Sequence, residues 1–286
     1  VQNVVSTYLG ANRMSPIHLY QIFYNSETKA LIDPDFLPLD NSANARPDWF
    51  EYWPIRNLLQ EKNFSDEDYL GVFSPKFSRK TGFTGAEVHD RVARSGAEVV
   101  AFSSEFDQVA AFKNAFAQGD FSQRGLLNVS RALFKEIDLG VDPTDKWADQ
   151  SRIIFSNYFV AKHSFWRQWF DFAERIFRIC EGKKGAIAEQ LNSHTSYRGT
   201  TSNYQMKVFV MERLVSAILE RQDINAVSHF NFSHQRALYN QRLTGLGRVP
   251  LDYGRFLLLD ALKGQYVKTK QTPYINLFKH YLSKKT

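Results

Sequence analysis

Apolar and polar positions change rhythm several times along this chain, and each rhythm predicts an element. Ile17-His18-Leu19-Tyr20-Gln21-Ile22-Phe23-Tyr24 is a β-rich run that follows Ser15-Pro16 and stops at Asn25-Ser26, which predicts a first strand and a loop. Phe36-Leu37-Pro38-Leu39 leads into the turn-forming cluster Asp40-Asn41-Ser42-Ala43-Asn44. Over residues 47–60, Trp49, Tyr52, Trp53 and Leu59 are spaced for one helical face, with Pro47 near its start. After the polar turn 66–68, Tyr69-Leu70-Gly71-Val72-Phe73 reads as a short buried strand that runs into Ser74-Pro75-Lys76-Phe77 and the glycine-punctuated stretch 81–85. Helices over 86–94 and 108–117 flank a further strand, Glu98-Val99-Val100-Ala101-Phe102.

Strands alternating with helices at this spacing predict an α/β fold with a largely parallel sheet. Ligands of such sheets sit at the carboxyl ends of strands. Those ends are here Tyr24-Asn25, Asp40-Asn41, Ser74-Pro75-Lys76 and residues 103–107. The second half changes character: a strand over 153–160, an aromatic amphipathic helix over 164–180, a long helix over 205–221 and a last helix beginning over 253–262. The turn-rich loop 191–203, which holds His194, Tyr197, Arg198 and Gly199, predicts a mobile flap. The simplest division is one α/β domain over 1–262 with a helical C-terminal third, followed by a basic-aromatic helix or tail over 263–286.

Of 286 residues, 43% are hydrophobic and 23% charged, which excludes wholesale disorder. The longest apolar runs, such as Ile153-Ile154-Phe155, are far too short to span a membrane. The single cysteine, Cys180, excludes a disulfide framework and a cysteine metal cluster. The net charge of +6 is local: Lys263, Lys268, Lys270, Lys279, Lys284 and Lys285 stand in a C-terminal stretch without Asp or Glu, so 30 basic residues balance 30 acidic ones before it. A neutral body argues against nucleic acid as partner. The basic tail, interleaved with Tyr266, Tyr274, Leu277, Phe278, Tyr281 and Leu282, fits peripheral contact with an anionic membrane, or else a helix packed on its own domain. Aromatics make up 15% of the chain, enough for a ring-rich core and for a groove that takes a flat base or a sugar.

Glycine-rich dinucleotide and phosphate loops are absent, as is a Gly-x-Ser-x-Gly elbow. His229 and His234 have no common zinc spacing. What remains are polar clusters at strand ends. Asp40-Asn41 suits a ribose or base edge, or simply an Asx turn. Lys76, with Arg46, Arg79 and Lys80, suits a diphosphate, or a solvated loop. Asp33-Pro34-Asp35 and Asp66-Glu67-Asp68 look like the Asp-x-Asp of metal-dependent glycosyl transfer, yet neither follows a strand and both read as turns. Asn114, Gly119 and Asp120 are candidates for shaping an acceptor side.

An ordered series carries a resemblance: Asp40-Asn41, Glu51-Tyr52-Trp53, Tyr69-Leu70-Gly71-Val72, Ser74-Pro75-Lys76-Phe77, Asn157-Tyr158-Phe159-Val160, Phe165-Trp166-Arg167-Gln168-Trp169 and Glu212-Arg213-Leu214. In order and rough spacing, over about residues 16–220, it resembles the bacterial capsule and lipopolysaccharide-biosynthesis glycosyltransferases with a GT-A-like fold. One departure stands out: that family carries His-Tyr-Arg-Arg-Tyr where this chain has Ser74-Pro75-Lys76-Phe77.

The resemblance implies transfer of a hexose or deoxyhexose from a nucleotide-sugar donor to a lipid-linked or oligosaccharide acceptor, in the cytoplasm or on the inner face of its membrane. Tyr24 and Asn25 would contact the nucleoside, and Asp40 and Asn41 the ribose or base. Lys76, helped by Arg198 closing from the flap, would neutralise the departing diphosphate. Metal-independent transfer is favoured, with a divalent cation as the alternative. Glu212, which matches the family's Glu-Arg-Leu, would be the base of an inverting reaction, with Asp107 in reserve. The plainer role for Glu212 is an ion pair within its helix, and a retaining reaction needs no such base. Asn157 and His163 would reach the sugar or acceptor, while Trp166 and Trp169 fit the core better. The competing reading is a non-catalytic glycan- or partner-binding module of a larger polysaccharide-assembly protein, to which a chain opening on Val1 also conforms.

Overall fold

A computed structural model describes residues 15–197, 200–246 and 252–283. Eight strands are present among them: β1 (Ile17–Phe23), β2 (Leu37–Asp40), β3 (Tyr69–Phe73), β4 (Val99–Phe102), β5 (Phe159–Lys162), β6 (His194–Tyr197), β7 (Thr200–Gln205) and β8 (Ala226–His229). Six form one sheet in the order β2-β1-β3-β5-β4-β8, and β6 pairs with β7 as a separate ribbon. β1 is parallel to both β2 and β3, and β4 to β8. Within the six-stranded sheet, β5 alone runs against its neighbours, and the β6–β7 ribbon is antiparallel. The molecule is an α/β protein with a mostly parallel sheet flanked by helices, an arrangement consistent with a GT-A-like fold.

Alternation along each strand explains the layers, because successive side chains of a strand point to opposite faces. Tyr20, Ile22, Leu70, Val72, Val99, Ala101, Phe159 and Ala161 face a core built with Trp49, Tyr52, Trp166, Trp169 and the apolar helices between 206 and 219. Leu19, Phe73, Val100, Phe102 and Val160 face a second core with Phe36, Phe77, Phe83, Val88 and Val92. A sheet covered on both faces reads as near-continuous apolar strands, as these do. Gly71 is required where β3 meets β5: a Cβ there would stand 2.9 Å from Val160 Cγ2 and 3.0 Å from the Phe73 ring.

The direction of β5 decides what reaches the crevice. Phe159 lies opposite Ala101, near the carboxyl end of β4, and Lys162 lies opposite Tyr69, the first residue of β3. Asn157, just before β5, therefore stands at the carboxyl ends of the parallel strands. His163, just after it, stands at the opposite rim.

Several expectations from the sequence need correction. The helix expected over 108–117 is two, Phe106–Ala111 and Ala115–Ser122, with Phe112 extended between them. The strand expected over 153–160 pairs only from Phe159, because Ser216 occupies the backbone of Ile154: its Oγ accepts from Ile154 N–H and donates to Ile154 O, both at 2.8 Å. The helix expected over 205–221 is two, Met206–Met211 and Leu214–Leu219, broken at Glu212-Arg213. The loop expected over 191–203 holds the β6–β7 ribbon, with His194 opposite Gln205 and Tyr197 opposite Thr200.

The C-terminal third packs helices Phe232–Gly245, Gly254–Thr269 and Thr272–Ser283 around Phe106, Tyr239, Tyr253, Phe256, Ile275 and Phe278. The division expected at 262/263 falls inside the helix Gly254–Thr269, and Lys263 is fully buried, donating to Val109 O and, at 3.2 Å, to Phe112 O. None of the described helices is long and apolar enough to cross a membrane.

Candidate active site

A cleft of about 910 Å³ opens at the carboxyl ends of β1 and β3. Tyr24 enters it from the end of β1, Ser74 and Lys76 from the end of β3, and Asn157 from the start of β5. Glu51 comes from the segment after the 3₁₀ turn Pro47–Trp49, Glu212 from the break between the two apolar helices, and Tyr204 from β7. Aromatic and aliphatic side chains make up the apolar part of the lining, with Phe50 4.9 Å from the Tyr204 ring.

Local chemistry explains why Glu212 projects here. Arg213 is 3% exposed; its guanidinium donates to Phe209 O (2.8 Å), Ala115 O (2.9 Å) and Gln118 Oε1 (2.6 Å). The side chain thus takes the carbonyl four residues back, which an uninterrupted helix would give to the Arg213 amide, while that amide turns to Val210 O at 3.1 Å. Gly119 leaves room for this: a Cβ would stand 2.7 Å from Arg213 Nε. Gly119 is therefore a support of the Glu212 turn, whereas Asn114 caps the helix Ala115–Ser122 and Asp120 accepts from Gly125 N and Leu127 N.

Glu51 follows Phe50, whose φ of 48° and ψ of −126° place a bulky residue in a region that few but glycine occupy. Such strain persists only where the surroundings enforce it. The turn before it is pinned: Lys207, 2% exposed, pairs with Asp48 at 2.8 Å and lies 4.3 Å from the Trp49 ring centre, and Trp49 Nε1 donates to Glu181 at 3.1 Å.

The two carboxyls set the electrostatics. Burial pushes the Glu51 carboxyl up, opposed by the 3.1 Å hydrogen bond from Asn157 Nδ2 and by Lys80, Ser74 and Lys76. Burial pushes Glu212 up to about 7; Arg213 and Lys80 oppose this, and the charge of Glu51 adds to it. Burial, with Glu51 beside it, also holds the Tyr24 phenol well above its ordinary range. Lys76, Arg79 and Lys80 line the same cleft, and none of the three forms an ion pair among the described residues. The arrangement offers cations for an anionic group next to carboxylates for hydroxyls.

Of the residues expected from the sequence, Tyr24, Lys76, Asn157 and Glu212 line this cleft, as do Arg79 and Lys80, expected beside Lys76. Asn25, Asp40, Asn41, Arg46, Asp107 and His163 do not. Asn25 caps the helix Ser26–Lys29, its Oδ1 accepting from Thr28 N at 2.8 Å, and it is Thr28 that lines the cleft. Asp40 is exposed and accepts from Ser42 N at 2.8 Å, the Asx turn, and Asn41 is buried beside the end of β1, with its N–H on Phe23 O. Asp107 is buried and paired to Arg242 at 2.6 Å, away from the cleft. His163 packs on Phe64 at the far rim. Arg198 lies outside the described residues. Sequence reasoning missed Glu51 as a site residue; the Glu51-Tyr52-Trp53 block drew attention to it without giving it a role.

Both Asp-x-Asp segments are turns: Asp33 Oδ1 accepts from Asp35 N and Oδ2 from Gly85 N, and Asp68 accepts from Ser65 N while Asp66 pairs with Arg167. Among the described residues, no three His, Cys, Asp or Glu side chains converge. Trp166 and Trp169 are core, Trp166 stacked on Phe159 at 4.7 Å.

No protein-family model matches this chain, and no curated protein does. Among solved structures, the apo form of WbbM, a bifunctional glycosyltransferase, aligns with a TM-score of 0.46 and 12% identity, over 76% of this chain and 44% of that one. The chain thus spans under half the length of that protein.

Proposed function

We propose that the chain is a glycosyltransferase that moves a sugar from a nucleotide-sugar donor to a lipid-linked or oligosaccharide acceptor of a bacterial surface polysaccharide. The observation that carries this reading is the meeting of Lys76, Arg79 and Lys80 with Glu51 and Glu212 in one aromatic-lined cleft at the carboxyl ends of β1 and β3. Aromatic side chains suit the base, the cations suit the diphosphate, and the carboxylates suit the sugar and the acceptor hydroxyl.

In this mechanism Glu212 takes the proton of the acceptor hydroxyl as that oxygen bonds to the anomeric carbon. The bond from that carbon to the diphosphate breaks, and its electron pair leaves with the nucleoside diphosphate, whose growing charge meets Lys76 and Lys80. We place the reaction on the inner face of the cytoplasmic membrane. The exposed Leu257, Leu258, Leu277 and Leu282, with exposed Lys268 and Lys279 on the same two helices and exposed Lys270 between them, support a peripheral seat on anionic lipid.

The test is a thermal-shift panel of UDP, GDP, CDP and dTDP, followed by transfer assays with sugars of whichever nucleotide binds. Stabilisation by one nucleotide, lost in Lys76→Ala and Lys80→Ala, is the expected result. Absence of any shift with the whole panel at millimolar concentration overturns the reading.

A further inference from the structure

Two residues that line the cleft carry buried polar atoms with no partner among the described residues, Asn157 Oδ1 and Ser78 Oγ. Asn157 is the more telling, being only 3% exposed. Its other amide atom is committed, Nδ2 donating to Glu51 Oε2 at 3.1 Å. The orientation of the amide follows from that bond. In the ionised form, which Lys80, Lys76, Ser74 and the bond from Asn157 all favour, the Glu51 carboxylate only accepts, so a reversed amide would set oxygen against oxygen and the nitrogen faces Glu51. The carbonyl oxygen of Asn157 is thereby left unmatched. A buried carbonyl without a donor is costly, and most such groups in folded proteins are satisfied.

What can satisfy it is a ligand that donates. Asn157 Oδ1 and the Glu51 carboxylate are both acceptors and belong to one hydrogen-bonded pair, so they suit a group bearing neighbouring hydroxyls. Lys80 and Lys76 act electrostatically on the same Glu51 carboxyl, which puts this acceptor pair next to the cations. On the glycosyltransferase reading, on which this inference rests, those cations hold the diphosphate. That diphosphate carries the nucleoside ribose on one side and the sugar to be transferred on the other, and the charge of Glu51 acts on Glu212, the proposed base, which favours the transferred sugar's side for this pair.

We propose that Asn157 Oδ1 and Glu51 form a subsite that grips vicinal hydroxyls of the transferred sugar, and that this pair sets which sugar the enzyme accepts. A site built to receive a hydroxyl rejects the analogue that lacks it, because its own polar atoms are then left unpaired. The strained Phe50 and the buried Lys207–Asp48 pair serve the same end, fixing the Glu51 backbone before any sugar arrives.

Calorimetry of wild type, Asn157→Ala and Glu51→Gln decides the matter, each titrated with UDP, GDP, CDP and dTDP, with the hexosyl form of the nucleotide that binds, and with its monodeoxy-hexosyl analogues. The expected result is that both variants bind the hexosyl nucleotide about 10–100-fold more weakly while affinity for the bare nucleoside diphosphate changes by less than about threefold. One deoxy analogue should show no further loss in either variant. Retained diphosphate binding shows that the variants are folded. If hexosyl nucleotide and bare diphosphate weaken equally in both variants, or if neither weakens, the subsite is overturned while the nucleotide site stands. If wild type binds no nucleotide, the glycosyltransferase reading falls and the subsite falls with it.

Discussion

Glu212 and Arg213 are consecutive residues that the fold treats in opposite ways. Arg213 is 3% exposed and fully engaged with Phe209 O, Ala115 O and Gln118 Oε1, whereas Glu212 keeps 30% of its side-chain surface and lines the cleft. Their closest charged atoms are 3.8 Å apart. The arginine holds the turn, and the glutamate is presented by it.

A base of this kind has a recognisable pH signature. Glu212, near 7 in the folded chain, must be ionised to accept a proton. Donor turnover should therefore climb through pH 6–8 in wild type, and Glu212→Gln should lose this limb along with about 10²–10⁴-fold of rate. The sign for stability is opposite. A carboxyl raised above its unfolded value costs nothing at low pH; the cost builds as pH rises from the ordinary glutamate range to about 7, because only the unfolded chain ionises freely. Glu212→Gln should therefore be no more stable than wild type at pH 4 and more stable at pH 8, measured by urea denaturation at both. A loss of stability in Glu212→Gln at pH 8 that shrinks at pH 4, as a carboxyl held below its ordinary range by Arg213 gives, would assign Glu212 a structural ion pair instead.

Gly119 should tolerate no side chain. An added Cβ meets Arg213 Nε at 2.7 Å and Leu126 Cδ2 at 2.8 Å, neither of which can withdraw without breaking buried contacts. Gly119→Ala is expected to cost about 1–3 kcal/mol in urea denaturation and to lower turnover more than nucleotide affinity, since the displaced group is the one that sets Glu212. Equal turnover at unchanged stability would contradict this link.

Three central strands were legible because both of their faces are buried, whereas the half-buried edge strand β8 was not. Leu19 to Phe23, Leu70 to Phe73 and Val99 to Phe102 are apolar at nearly every position, and flanking turn formers mark their ends. What escaped depends on tertiary partners. Ile153 to Phe155 looks like a strand, yet Ser216, sixty-two residues away from Ile154, takes the place of a neighbouring strand. Glu51 sits in what reads as the polar side of an amphipathic helix; only the left-handed Phe50 before it and Asn157 across from it make it a site residue. Asp40 was misplaced for the opposite reason, since a carboxylate two residues before Ser42 closes its own turn as readily as it meets a ribose.

The cations should act additively on phosphate and be sensitive to salt. Lys76→Ala and Lys80→Ala are each expected to weaken nucleoside diphosphate binding about tenfold, or ~1.4 kcal/mol. The wild-type affinity should fall as sodium chloride rises from 50 to 500 mM, with a shallower slope in each variant. Calorimetry at the two salt concentrations checks both. Asp40→Ala is expected to leave the affinity unchanged, because Asp40 closes its own turn outside the cleft.

The C-terminal helices should behave as part of the fold. Lys263 is fully buried within the helix Gly254–Thr269, and its ammonium closes the carbonyl end of the helix Phe106–Ala111 through Val109 O and Phe112 O. Burial lowers its pKa to about 8, with Asp260 and Asp149 opposing. Above about pH 8 the folded chain gives up this proton while the unfolded chain still holds it, up to the ordinary lysine value. Over that window the unfolded state binds more protons, so this group makes stability rise with pH. Wild type compared with Lys263→Met should show that rise as a difference in slope between pH 8 and 10 in urea denaturation. Removing residues 263–283 uncovers Phe106, Phe256 and Leu259 and should leave a chain that unfolds at much lower urea or does not fold at all. A truncated chain with wild-type stability would show that the helices are an appendage rather than a wall of the domain.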